Sequence, residues 1–82
     1  MDDEIRRVLA DHGRLPIDAT AIGDRADLFE LGLSSHASVN VMLALEDAFA
    51  VEFPEPMLRK STFESVAAIR DALTQLVSAH AS

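Results

Sequence analysis

Cysteine is absent from this chain of 82 residues, and so are tryptophan and tyrosine. Without thiols there is neither a disulfide framework nor a thiolate-bound metal, which fits a reducing compartment. Basic residues are scarce: seven Lys and Arg stand against fourteen Asp and Glu, a formal net charge of -7. A protein that grips phosphate backbones needs the opposite balance, so nucleic acid is excluded as a partner. Long apolar runs are missing too. None approaches the roughly 20 residues that cross a bilayer, and the start, MDDEIRRVLA, lacks the basic opening and apolar stretch of a secretory leader. A soluble, cytoplasmic protein with no membrane partner is expected. No strand-like alternation and no internal repeat stand out.

What remains is apolar and acidic. Apolar residues make up 49% of the chain, enough for one compact core and too many for intrinsic disorder. A domain of this size buries only about 60% of its unfolded surface, so few elements must share that core. Eight of the fourteen acids fall within the first 33 residues: Asp2, Asp3, Glu4, Asp11, Asp18, Asp24, Asp27 and Glu30. Such a surface favours solubility and is steered toward basic partners.

Helical spacing predicts three main helices. Ile5, Val8, Leu9 and His12 recur three or four apart behind an acidic first turn, with Gly13 as a stop. Residues 14–34 then form a long connection punctuated by Pro16, Gly23 and Gly32. Connections of that length are unusual in compact domains and are often functional. Leu15, Ile17, Ile22, Leu28, Phe29 and Leu31 are expected to pin it to the core, with a helical turn near Asp27 to Leu31. A second helix is predicted from Ser35 to about Phe49, capped by Ser34. Its buried stripe is read as Val39, Met42, Leu45 or Leu43, and Phe49, while Val41 and Leu43 extend the apolar surface beyond one core's needs. Pro54 and Pro56 break the chain, and Met57 to Lys60 is read as one short helix. The stretch STFE, residues 61–64, has capping-box form and opens a last helix whose apolar face is Phe63, Val66, Ile69, Leu73 and Leu76. The fold class is therefore all-α: a small bundle of three main helices plus one short helix, with a long ordered loop between the first two.

The chemistry concentrates in LFELGLSSHASV, residues 28–39. A glycine, two serines and a histidine open the second helix, and three readings compete: a helix cap, a nucleophile with its base, or a serine displayed for modification. Ser35 and His36 are neighbours on a helix and point about 100° apart, so they build no relay by themselves. No GxSxG elbow occurs. His12, His36 and His80 are too widely scattered for a metal site, and no glycine-rich phosphate loop exists. Either serine can cap the helix, but one cap suffices. The other then projects at the positive end of the helix dipole, where an attached phosphate is favoured.

Asp27-Leu28-Phe29-Glu30-Leu31-Gly32-Leu33-Ser34-Ser35 resembles the phosphopantetheine attachment motif of acyl and peptidyl carrier proteins, roughly D-x-F-x-x-L-G-x-D-S-L. The likeness continues through Val39, Leu45-Glu46, Phe49, Val51, Phe53-Pro54 and Thr62. It implies a single carrier domain over residues 1–82 with an acyl-carrier-like fold. It also implies covalent 4′-phosphopantetheine, derived from coenzyme A, on Ser35. The chain itself would catalyse nothing: a phosphopantetheinyl transferase with Mg²⁺ would modify it, and a separate ligase or other acyl-transferring enzymes would load it. Two positions depart from the pattern, with Ser34 in place of the usual Asp and His36 in place of the usual Leu. The SSH variant is similar to the small stand-alone carriers charged by amino acid:carrier protein ligases. An amino acid such as glycine or alanine is then the expected cargo, with a fatty-acyl or polyketide carrier and an unmodified helical interaction module as alternatives. Around Ser35 the expected docking residues are Leu33, Ser34, His36, Val41 and Leu43, joined by Met57, Leu58, Arg59 and Lys60 from the short helix. A monomer is expected, since a mobile carrier visits several partners.

Overall fold

In a computed structural model, which describes residues 1–81, the backbone forms α1 (Asp2–His12), α2 (Ser35–Phe49) and α3 (Val66–Ala81). Single 3-10 turns lie at Ala19–Ala21, Glu55–Met57 and Lys60–Phe63. No strand occurs among the described residues. None of the described helices is long and apolar enough to cross a membrane.

The core is built where the three helices meet. Ile5 and Leu9 of α1, Val41 and Leu45 of α2, and Val66, Ile69 and Leu73 of α3 are fully buried, together with Leu28 from the long loop. Each such side chain contributes about 1.5–3 kcal/mol. Phe53 and Phe63 close one end edge to face, with ring centroids 5.2 Å apart.

Helix ends follow local chemistry. The Ser34 hydroxyl accepts the Ala37 N–H at 3.0 Å, capping α2 as its sequence predicts. At the other end Ala50 takes the left-handed conformation, φ 53°, and donates its N–H to Glu46 O. Gly13 ends α1 as expected, whereas expectation and structure part at the start of α3. Gly13 stays right-handed at φ -78°, and Arg14 makes the left-handed step at φ 54°. The capping box expected at Ser61 and Glu64 does not form. Ser61 lies within a 3-10 turn, and Ser65 caps α3 by accepting the Ala68 N–H at 3.0 Å.

The short helix expected over Met57 to Lys60 is also replaced. Leu58 adopts φ -84°, ψ 66°, and the Arg59 N–H reaches back to Met57 O at 2.9 Å, an inverse γ-turn. Arg59 is extended, so the helical turns fall on either side of it. Fixed proline angles at Pro54 and Pro56 favour that broken path.

Polar bonds hold the long loop in addition to its apolar residues. Arg6 of α1 donates to Ala19 O at 2.8 Å and Ile22 O at 2.7 Å. Leu28 N–H donates to Glu64 O at 2.7 Å, and Ala67 N–H to Asp24 O at 2.9 Å. Arg70 of α3 forks onto both carboxylate oxygens of Asp24, at 2.8 and 2.9 Å, and also reaches Asp2. Ile22 and Leu28 are buried, and Leu15, Phe29 and Leu31 are half-buried. Ile17 is an exception: at 44% exposure it does not pin the loop.

Candidate functional site

The last turn of the loop sets where α2 begins. The Asp27 carboxylate accepts the N–H groups of Phe29 and Glu30, at 3.0 and 3.3 Å, and Leu31 N–H closes one helical turn onto Asp27 O. Gly32 then takes φ 118°, with Pro16 so close that a Cβ would lie 3.2 Å from the proline Cδ. That turn returns the chain toward the core, where Leu33 is buried and its N–H bonds Leu28 O at 2.9 Å. From this anchor Ser34 and Ser35 emerge into solvent.

The two serines have separate employments. Ser34 spends its hydroxyl on the cap. Ser35, the first helical residue, is exposed, and its hydroxyl makes no hydrogen bond among the described residues. Its backbone carbonyl accepts the Ser38 hydroxyl at 2.7 Å. No acid occupies the first turn of α2, so that turn sets no like charge against an anion bonded to Ser35.

Beside Ser35 runs an open groove of about 290 Å³ between α2 and residues 58–63. Ser35, Val39 and Met42 form its α2 wall, faced by Leu58, Arg59 and Lys60, with Phe29 and Phe63 completing it. Leu58, Arg59 and Lys60 thus stand with Ser35 as the sequence suggests. Arg59 is braced, its Nε donating to Pro56 O at 2.8 Å. The Lys60 ammonium rests over the Phe29 ring, 4.8 Å from its centroid.

Other expected surface residues fall elsewhere. Val41 is fully buried and Leu33 is 3% exposed, so neither offers a docking surface; both are core. Ala37, Val41 and Leu45, four apart, form the inward row of α2, and this rotates Val39 outward to 50% exposure. Leu43, 52% exposed, and His36 are on the surface. Leu43 lies toward the shallow groove between α1 and α2, away from Leu58 to Lys60. Met57 is half-buried and faces α3 near Ala68 and Ala72. Sequence reading missed Phe29, Ser38, Val39, Met42 and Phe63 as groove residues. The signal was present for α2: positions 35, 38, 39 and 42 share one helical face.

An exposed, uncommitted serine at a helix start, with cations across the groove and no acid in its own turn, suits a covalent phosphodiester. Residues 3–73 match the family described as phosphopantetheine attachment site. The chain belongs to that family of carriers. It is 47% identical over 73 residues, covering 89% of this chain and 88% of the other, to an aminoacyl carrier protein of Agrobacterium fabrum. It also resembles a chain in the crystal structure of an engineered Bradyrhizobium japonicum glycine:carrier protein ligase complexed with carrier protein from Agrobacterium tumefaciens and AMP. There the TM-score is 0.88 and the identity 46%, over 90% of this chain and 99% of that one. A Bradyrhizobium japonicum glycine:carrier protein ligase complexed with glycylated carrier protein gives a more distant match, with TM-score 0.74 and 25% identity over 87% of this chain and 95% of the other.

Proposed function

We propose that Ser35 is the attachment residue and that the chain carries an amino acid of the glycine or alanine class for delivery by partner enzymes. The observation that carries the assignment is the division of labour between adjacent serines. Ser34 satisfies the helix, and this leaves the exposed Ser35 hydroxyl free for chemistry. On a separate phosphopantetheinyl transferase, that hydroxyl displaces the adenosine-bearing phosphate of coenzyme A and becomes a phosphodiester. The attached group supplies a terminal thiol that holds an acid as a thioester. No cysteine competes with that thiol for cargo.

The role of the polypeptide is to present and dock. Rigid packing behind Leu33 and the cap at Ser34 fix the point from which the arm swings, and tethering raises the local concentration of cargo at a partner's active site. His36 and Val39 on α2 and Leu58 on the opposite wall supply the exposed contact surface around Ser35, with Ser34, Arg59 and Lys60 at its polar edge, while Leu43 adds an exposed apolar contact on the α1 side of α2. Met57 supports the Leu58 turn from behind. The choice of an amino acid over a fatty chain is supported by the aminoacyl carrier relative and by the ligase complexes.

Loading tests the reading of cargo. The modified chain is offered ATP, an amino acid:carrier protein ligase and either glycine, alanine or a medium-chain fatty acid, and intact mass is followed. Hydroxylamine-labile glycyl or alanyl adducts are expected. Acylation by the fatty acid under an acyl ligase, with no aminoacylation, refutes it.

A further inference from the structure

Most cations of this acidic chain are already engaged. Arg6 is held by two carbonyls of the loop, Arg7 pairs with Glu4, Arg70 pairs with Asp2 and Asp24, and Arg59 is tied to Pro56. Lys60 differs. It is the chain's sole lysine, it forms no ion pair among the described residues, and its ammonium rests on the face of Phe29. Lys60, Phe29 and Ser35 all line the same groove of about 290 Å³. A four-carbon stem gives a lysine ammonium mobility that a braced guanidinium lacks.

We infer that Lys60 is a displaceable cation that exchanges the Phe29 ring for the phosphodiester created on Ser35, so that modification bares the ring beside the arm. The inference rests on Ser35 being the attachment residue. Its physical basis is a contrast between partners. An aromatic face at an exposed site holds an ammonium weakly, whereas a charge-assisted bond to a phosphate oxygen is stronger and directional. The first turn of α2 carries no carboxylate beside the phosphodiester's place, and Lys60 has no ion-pair partner among the described residues to hold it back. Before modification Lys60 covers Phe29. Afterwards it closes over the phosphate, and a partner meets an uncovered aromatic surface. An enzyme that loads the arm thereby gains a local mark of modification that an unmodified chain does not display.

The sole lysine makes the test direct. Reductive ¹³C-methylation of the intact chain labels only Lys60 and the N-terminal amine, and the two signals are assigned by the loss of one in Lys60→Arg. In the unmodified chain the Lys60 methyl signal is expected upfield, shifted by the ring current of Phe29. The variant Phe29→Leu returns it to the position of a free lysine. After enzymatic transfer of phosphopantetheine, with one adduct verified by mass, the wild-type signal is expected to leave the ring-shifted position. Raising the salt concentration should return it part of the way, and Ser35→Ala treated identically should show no change. A modified chain of verified mass whose Lys60 signal stays ring-shifted overturns the inference while leaving the attachment reading intact. Displacement that is insensitive to salt overturns it as well, because the arm would then be evicting Lys60 by packing against Phe29. Failure to acquire the adduct at all is seen separately, by mass, and removes the attachment reading itself.

Discussion

The hydroxyl of Ser34 accepts the N–H of Ala37 at 3.0 Å, while the hydroxyl of Ser35, one residue on, stands exposed without such a partner among the described residues. On the proposed reading, these adjacent and chemically identical side chains divide between stability and chemistry. Ser34→Ala is expected to cost about 1 kcal/mol, and Ser35→Ala to stay within about 0.5 kcal/mol of wild type. Ser34→Asp keeps a cap and adds a favourable charge at the helix start, worth about 0.3–1 kcal/mol. Urea titration of the three variants decides; equal losses in both alanine variants would contradict the division.

Gly32 is the hinge on which that presentation turns. Its φ of 118° is a conformation that side chains avoid, and a Cβ there would press on Pro16. Gly32→Ala is expected to destabilise the chain by about 1–3 kcal/mol and to slow modification of Ser35 by displacing the turn ahead of it. Stability and modification rate are measured together. An alanine variant of wild-type stability shows that the turn tolerates a side chain.

Arg70 joins the N-terminus, the loop and α3 through Asp2 and Asp24. The hydrogen bonds from its guanidinium hold the Asp24 carboxyl below the usual carboxylate range. A depressed carboxylate stabilises the fold above its unfolded pKa, near 3.9, and that contribution is lost as pH falls through the lower folded value. Asp24→Asn is therefore expected to be less stable than wild type at pH 7, with the gap shrinking once the pH drops below about 4. Thermal melts across pH 3 to 7 check this, and a gap constant with pH would rule out the charge as its source.

Val39 and Val41 separate surface from core on one helix. Val41 is fully buried, and Val39 is half exposed in the groove wall. Val41→Ala should cost about 2 kcal/mol from lost burial and the cavity left behind. Val39→Ser should leave stability nearly unchanged while lowering the kcat/KM of loading roughly tenfold, the loss of one contact of about 1.4 kcal/mol. Paired melts and loading kinetics test the contrast, and reversal of the two effects would place the docking face elsewhere.

Local signals carried much of this structure. The bounds of α1 and α2, the Ser34 cap and the apolar row of α3 all follow from residues within a few positions of one another. Two errors came from rules satisfied by the wrong residues. Ser61 and Glu64 fit a capping box, yet Ser65 makes the cap, with no acid three positions later to advertise it. Val39 and Val41 are equally apolar, and only the direction from which α1 and α3 approach decides which is buried. The Arg70 clamp was illegible for a different reason. Asp2 and Arg70 are 68 positions apart, and only the folded bundle brings them together. Likewise, Lys60 over Phe29 depends on where the γ-turn at Leu58 aims the following residues.

Intact mass after treatment with coenzyme A, Mg²⁺ and a broad-specificity phosphopantetheinyl transferase tests the assignment of Ser35 most directly. The wild-type chain and Ser34→Ala should each gain a single phosphopantetheine, and Ser35→Ala should gain none. A Ser35→Ala chain that still takes up the group, or a folded wild-type chain that never does, would contradict the account.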